Sequence, residues 1–107
     1  MNSKVFLGNV VAAEGVSGFE QPVGRIISEA FAGLADEVRS DTLGNVIALK
    51  KGDGPSRPKI MLAGHMDEIG LMITKIDERG FLRFTQVGGI DQRTLVAQEV
   101  VVHSDTG

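Results

Sequence analysis

At 107 residues the chain has room for one domain with a modest core and not for two independent ones. Hydrophobic residues at 42% and charged residues at 23% are the proportions of an ordinary globular protein, which excludes disorder and fibrous repeats. A net charge of -3, scattered Lys and Arg, and no Tyr or Trp leave neither a basic stripe nor a stacking surface for nucleic acid, while the lack of cysteine excludes disulfides, thiolate metal sites and a cysteine nucleophile.

A cysteine-free composition agrees with a cytoplasmic protein, and any metal must be held by His, Asp or Glu. The N-terminal stretch Met1 to Ala13 has one lysine and an apolar run broken by Gly8 and Asn9, which makes a poor signal peptide. That run also falls well short of the roughly 20 residues needed to cross a bilayer, so no membrane association is expected.

In chain order, Val5, Phe6, Val10 and Val11 predict a short helix ended by Gly15 at its C′ position. Gly15-Val-Ser-Gly18 follows as a tight loop in which Ser17 is available as a helix cap. Ser17 and Glu20 have capping-box spacing, but Pro22 would then sit too deep, which moves the expected helix start to between Gly18 and Gln21. From there Val23, Ile26, Ile27, Ala30, Phe31 and Leu34 form one apolar stripe, with Arg25, Ser28 and Glu29 toward water.

Glu37 to Asp41 and Val46 to Leu49 read as two strands joined at Leu43-Gly-Asn45, and residues 50–58 as an exposed loop. Ile60 to Ala63 is a continuous apolar run that predicts a strand covered on both faces, stopping at Gly64. Further strands are expected over Ile69 to Ile76 and Phe81 to Thr85, joined by a turn at Asp77-Glu-Arg-Gly80. Gly88-Gly89 is the expected domain boundary, Val100 to Val102 opens a new strand, and the turn-like His103 to Gly107 suggests that more sequence follows.

The chemistry concentrates at the end of the apolar run, in Gly64-His-Met-Asp-Glu68. Side chains alternate along an extended segment, so His65 and Asp67 project together while Met66 and Glu68 project oppositely. A carboxylate that accepts one ring N–H would fix the tautomer of an imidazole whose other nitrogen binds a metal. The His-x-Asp pattern alone is weak, and by itself it favours a strand-end histidine bonded to a local carboxylate. Glu68 reads as a strand-end carboxylate, His103 as an exposed polar residue, Asp41 and Asn45 as turn formers, and the methionines as core filler.

Taken together, Gly15-Val-Ser-Gly18, Asp41-Thr-Leu-Gly-Asn45, Ala63-Gly-His-Met-Asp-Glu-Ile-Gly70 and Gly80-Phe-Leu-Arg-Phe84 followed by Gly88-Gly89 resemble one family. It is the tetrahedral glutamyl and deblocking aminopeptidases, some of which carry the name endoglucanase. The resemblance runs from about Ser3 to the C-terminus. Two positions depart from it: Glu14 stands where a proline often precedes Gly15, and Ala97 stands where a glycine is expected.

The resemblance implies an α/β fold, the N-terminal part of a mixed-sheet α/β/α metallopeptidase domain over residues 1–88. Residues 89–107 would begin an inserted small β domain involved in assembly, with Leu95 to Val102 as its first strand. His65 would ligate one ion of a two-metal centre, zinc or cobalt, and Asp67 would be the catalytic carboxylate behind that ligand. The other ligands and the paired glutamates that supply the general base would lie beyond Gly107. The implied activity is removal of N-terminal residues from peptides by a homo-oligomer, dimers assembling into a dodecamer, with this chain inactive alone. The competing expectation is a non-catalytic assembly or remnant module of the same fold, and intact His65 and Asp67 favour the enzyme.

Overall fold

The computed structural model describes residues 2–104, and their secondary structure is α/β, as expected. The chain divides between Glu68 and Ile69 into two compact units.

The first unit opens with α1, Ser3–Ala12, whose N-terminus is capped by Asn2: its side-chain oxygen accepts the N–H groups of Lys4 and Val5 at 3.1 and 3.3 Å. The helix stops at Ala12, where the next residue is already extended, and not at Gly15 as its sequence suggests. Gly15 serves close packing. It is buried, and a Cβ there would stand 3.2 Å from Val23 Cγ1 and 3.5 Å from the Met66 carbonyl oxygen.

Helix α2, Gln21–Ala32, begins inside the expected window, with Pro22 in the first turn where its missing N–H costs nothing. The capping box between Ser17 and Glu20 does not form. Glu20 Oε1 instead accepts the Gly18 N–H at 2.8 Å, and the Ser17 hydroxyl is engaged elsewhere. Val23 is 2% exposed and Ile26, Ile27, Ala30 and Phe31 are half-buried, which is the predicted stripe. Leu34 falls off it, because the helix ends at Ala32 and Leu34 lies exposed beyond the Gly33 cap. A Cβ on buried Gly24 would meet Val46 Cγ2 at 3.6 Å and Met66 Cε at 3.7 Å, so the helix backbone lies close to both side chains.

Strands β1, Glu37–Ser40, and β2, Val46–Leu49, pair antiparallel as expected, with Glu37 opposite Leu49 and Ser40 opposite Val46. Residues 50–58 are an exposed loop. The strand expected over Ile60 to Ala63 is not one: this stretch takes no place in a ladder among the described residues, and Met61 and Leu62 are 88% and 93% exposed. A continuous apolar run reports suitability for burial, whereas a strand needs a ladder partner, and among the described residues β1 and β2 pair only with each other.

In the second unit β3, Gly70–Ile76, and β4, Leu82–Val87, form an antiparallel hairpin. Its register shifts between Ile73 and Lys75, and the Thr74 hydroxyl donates to the Arg83 carbonyl at 3.2 Å. Gly88 has φ +84°, and a Cβ there would stand 2.8 Å from Ile69 Cγ2, so glycine is required at this turn out of β4. A single 3-10 turn follows at Gln92–Thr94, and Ala97 has φ +62°, the only non-glycine in the left-handed region among the described residues. The strand expected at Val100 to Val102 is absent: these residues are exposed and unladdered, since no strand of the described chain is aligned beside them. Of the turn-like end expected at residues 103–107, the last three lie outside the described residues.

Candidate functional site

The chain brings two distant segments together at Val16 and Glu68, which form a parallel β-bridge. The Glu68 N–H donates to the Gly15 carbonyl at 2.8 Å, and the Ser17 N–H donates to the Glu68 carbonyl at 3.3 Å. The bare Cα of Gly15 suits this bridge, since a Cβ there would crowd Val23 Cγ1 at 3.2 Å and lie 3.5 Å from the Met66 carbonyl oxygen. With the backbones so fixed, residue 67 lies next to residue 17. The Ser17 hydroxyl donates to Asp67 Oδ2 at 2.5 Å, a length proper to a hydroxyl on an ionised carboxylate.

The other carboxylate oxygen faces the histidine. His65 Nδ1 lies 3.1 Å from Asp67 Oδ1 and 3.1 Å from the Asp67 carbonyl oxygen. Both neighbours are acceptors, so Nδ1 carries the proton and the lone pair of a neutral ring is on Nε2. The ring is 87% exposed, against 38% for the Asp67 side chain. The Ser17 hydrogen bond, followed by that of His65, holds the Asp67 carboxyl below its ordinary value, with partial burial pushing the other way. Asp67 is therefore an anion at neutral pH, able only to accept.

His65 and Asp67, paired in the sequence reading, are thus in contact. Asp41 and Asn45 act as turn formers: Asp41 accepts the N–H groups of Leu43 and Asn45, and the Asn45 side-chain amide at 2.8 Å. Glu68 contributes its backbone to the bridge, and His103 is exposed. Among the described residues no three His, Asp or Glu side chains gather to hold a metal ion. Ser17, expected from the sequence as a helix cap, is instead the hydrogen-bond partner of Asp67. Its one signal is the Gly-x-Ser-Gly bracket, which suits a loop held against another backbone as well as a helix start. No helix among the described residues is long and apolar enough to cross a membrane.

The chain matches the family model for M42 glutamyl aminopeptidases over residues 44–107. It is 51% identical over 86 residues to a putative aminopeptidase of Acetivibrio thermocellus, covering 80% of this chain and 25% of that protein. It is 42% identical over 99 residues to the lysyl aminopeptidase of Pyrococcus furiosus, covering 92% and 28%. Among solved structures it is similar to a TET aminopeptidase from a marine sediment thaumarchaeote, with a TM-score of 0.76 and 39% identity over 83% of this chain and 25% of that one. The chain therefore spans about a quarter of the length of the relatives it matches. The family model covers more than half of the chain and the relatives agree with it in kind: the chain belongs to the M42 glutamyl aminopeptidase family.

Proposed function

We propose that this chain supplies one metal ligand, His65, and the carboxylate that holds it, Asp67, to a metal-dependent aminopeptidase that removes N-terminal residues from peptides. The observation that carries the reading is the His65–Asp67 contact at 3.1 Å with Nδ1 facing two acceptors, which fits a neutral imidazole presenting Nε2 to a divalent ion. When bound, a pair of ions such as zinc or cobalt supplies Lewis acidity for the scissile carbonyl and a more acidic water. The chain's own part is to hold His65 in one tautomer and one direction. An ionised Asp67 also raises the basicity of the ring, which strengthens it as a ligand.

The relatives' names, among them lysyl and glutamyl aminopeptidases, support peptide substrates, and the TET neighbour supports assembly of dimers into a larger particle. A dinuclear site needs several further ligands and a general base, so the 107 residues alone are inactive with zinc or cobalt added.

Two variants at native length test the roles. His65→Ala lowers metal content and aminopeptidase turnover together. Asp67→Asn keeps most of the metal and lowers affinity or rate by about 10- to 100-fold. Unchanged metal stoichiometry and turnover in His65→Ala would falsify the assignment.

A further inference from the structure

We infer that Ser17 is a positioning residue for the metal ligand: its hydroxyl locks the Asp67 carboxylate in the rotation that keeps Oδ1 on His65 Nδ1. The inference rests on the reading of His65 as a ligand. Its own ground is the two-point grip on Asp67, Ser17 on Oδ2 at 2.5 Å and His65 on Oδ1 at 3.1 Å. A carboxylate torsion is broad and roughly two-fold, so a single contact from His65 leaves the group free to turn. A second, charge-assisted bond to the opposite oxygen removes that freedom.

Ser17 can do this because its own position is set independently of the side-chain bond. The Val16–Glu68 bridge fixes the Ser17 backbone through its N–H and through Gly15, and it fixes the backbone immediately after Asp67. The Cβ of residue 17 therefore keeps its place when the hydroxyl is removed. Loss of the hydroxyl should release the carboxylate and leave the loop docked. His65 then keeps only the Asp67 carbonyl oxygen as a fixed acceptor, its hold on the Nδ1–H tautomer weakens, and the share with a lone pair on Nε2 falls.

The test is nitrogen-15 NMR of the imidazoles at a pH well above the ordinary histidine value of about 6.5. The chain has two histidines, so the His65 signals are assigned by their loss in His65→Ala. In the wild type, His65 should show a protonated Nδ1 and an unprotonated Nε2. Ser17→Ala should move both shifts toward the mixed-tautomer average, Ser17→Thr should restore them, and zinc affinity measured against a competing chelator at native length should follow the same order. Slow exchange of the Glu68 amide in each variant reports that the loop is still docked. A docked Ser17→Ala with unchanged tautomer and zinc affinity overturns the role of Ser17 and leaves the ligand reading intact. A wild type that lacks the Nδ1–H tautomer overturns the ligand reading itself. If Ser17→Ala undocks the loop, Ser17→Thr decides: docked with wild-type tautomer supports the hydroxyl's role, and docked with mixed tautomers refutes it.

Discussion

The two hairpin turns and the Val16–Glu68 bridge hold aspartates in opposite ways. In the turn between β1 and β2, Asp41 accepts the N–H groups of Leu43 and Asn45, its carbonyl takes the Gly44 N–H, and Gly44 has φ +87°. The turn between β3 and β4 repeats this: Asp77 accepts from Arg79 and Phe81, its carbonyl takes the Gly80 N–H, and Gly80 has φ +83°. Every partner lies within six residues, the farthest being Arg83, whose guanidinium donates to Asp77 Oδ2 at 3.3 Å. At the bridge, Asp67 is gripped by a serine 50 residues away, and nothing local would hold its second oxygen there. The local devices cost little loop-closure entropy and stand by themselves, whereas the distant one depends on the packing of Gly15 beneath it.

The largest effect should therefore come from Gly15→Val. Its branched side chain would drive into Val23 and the Met66 carbonyl, and overpacking of this kind costs about 1–3 kcal/mol. A lowered urea midpoint, together with lost protection of the Glu68 amide, is the expected result. Retained Glu68 protection would show that the bridge tolerates a side chain and that the contrast is overstated.

The turns should respond equally to one another. Gly44→Ala and Gly80→Ala each place an L side chain in the left-handed region, at roughly 1–2 kcal/mol. Matching losses in urea melts are expected, with the Glu68 amide unaffected in Gly44→Ala. A cost confined to one turn would mean that the shared pattern of bonds does not govern both.

The same rule, run in reverse, applies to Ala97. Alanine stands where the family resemblance leads one to expect glycine, and the structure puts this residue at φ +62°. Ala97→Gly should stabilise by up to about 1 kcal/mol, the relief of the strain being partly offset by the entropy of glycine. Destabilisation would indicate that the methyl group makes a contact worth more than the strain.

What was legible in the sequence follows the same division. The stripe on α2, both hairpins and the Asp41 and Asp77 turns depend on residues a few positions apart, and they are where the pattern puts them. Gly15 and Ser17 were read as helix punctuation because their partners, Met66, Asp67 and Glu68, are invisible to any local window. Ile60 to Ala63 failed in a related way: its composition describes what the stretch could bury against, and among the described residues nothing lies alongside it. The His65–Asp67 pair was legible because two residues of an extended backbone share a face. Its third member was not.

The smallest effect is that of acid on the first turn. The Asn45 side chain, with desolvation opposing it and the Asn45 and Leu43 N–H groups adding to it, holds the Asp41 carboxyl below the ordinary value of 3.8. A lowered folded value means that the stabilisation is fully present above pH 3.8 and is lost as pH falls through the folded pKa. The Asn45 amide should lose protection only in that acid window, and Asp41→Asn should flatten the dependence. Loss of protection between pH 5 and 7 would point to a different group.

The most direct test of the central claim is an anomalous-scattering crystal structure of the zinc-loaded protein at native length. The expected peak lies about 2.0–2.1 Å from His65 Nε2, with Nδ1 still on Asp67 and Asp67 still on Ser17. Zinc bound through Nδ1, or bound with His65 outside its coordination sphere, would contradict the account.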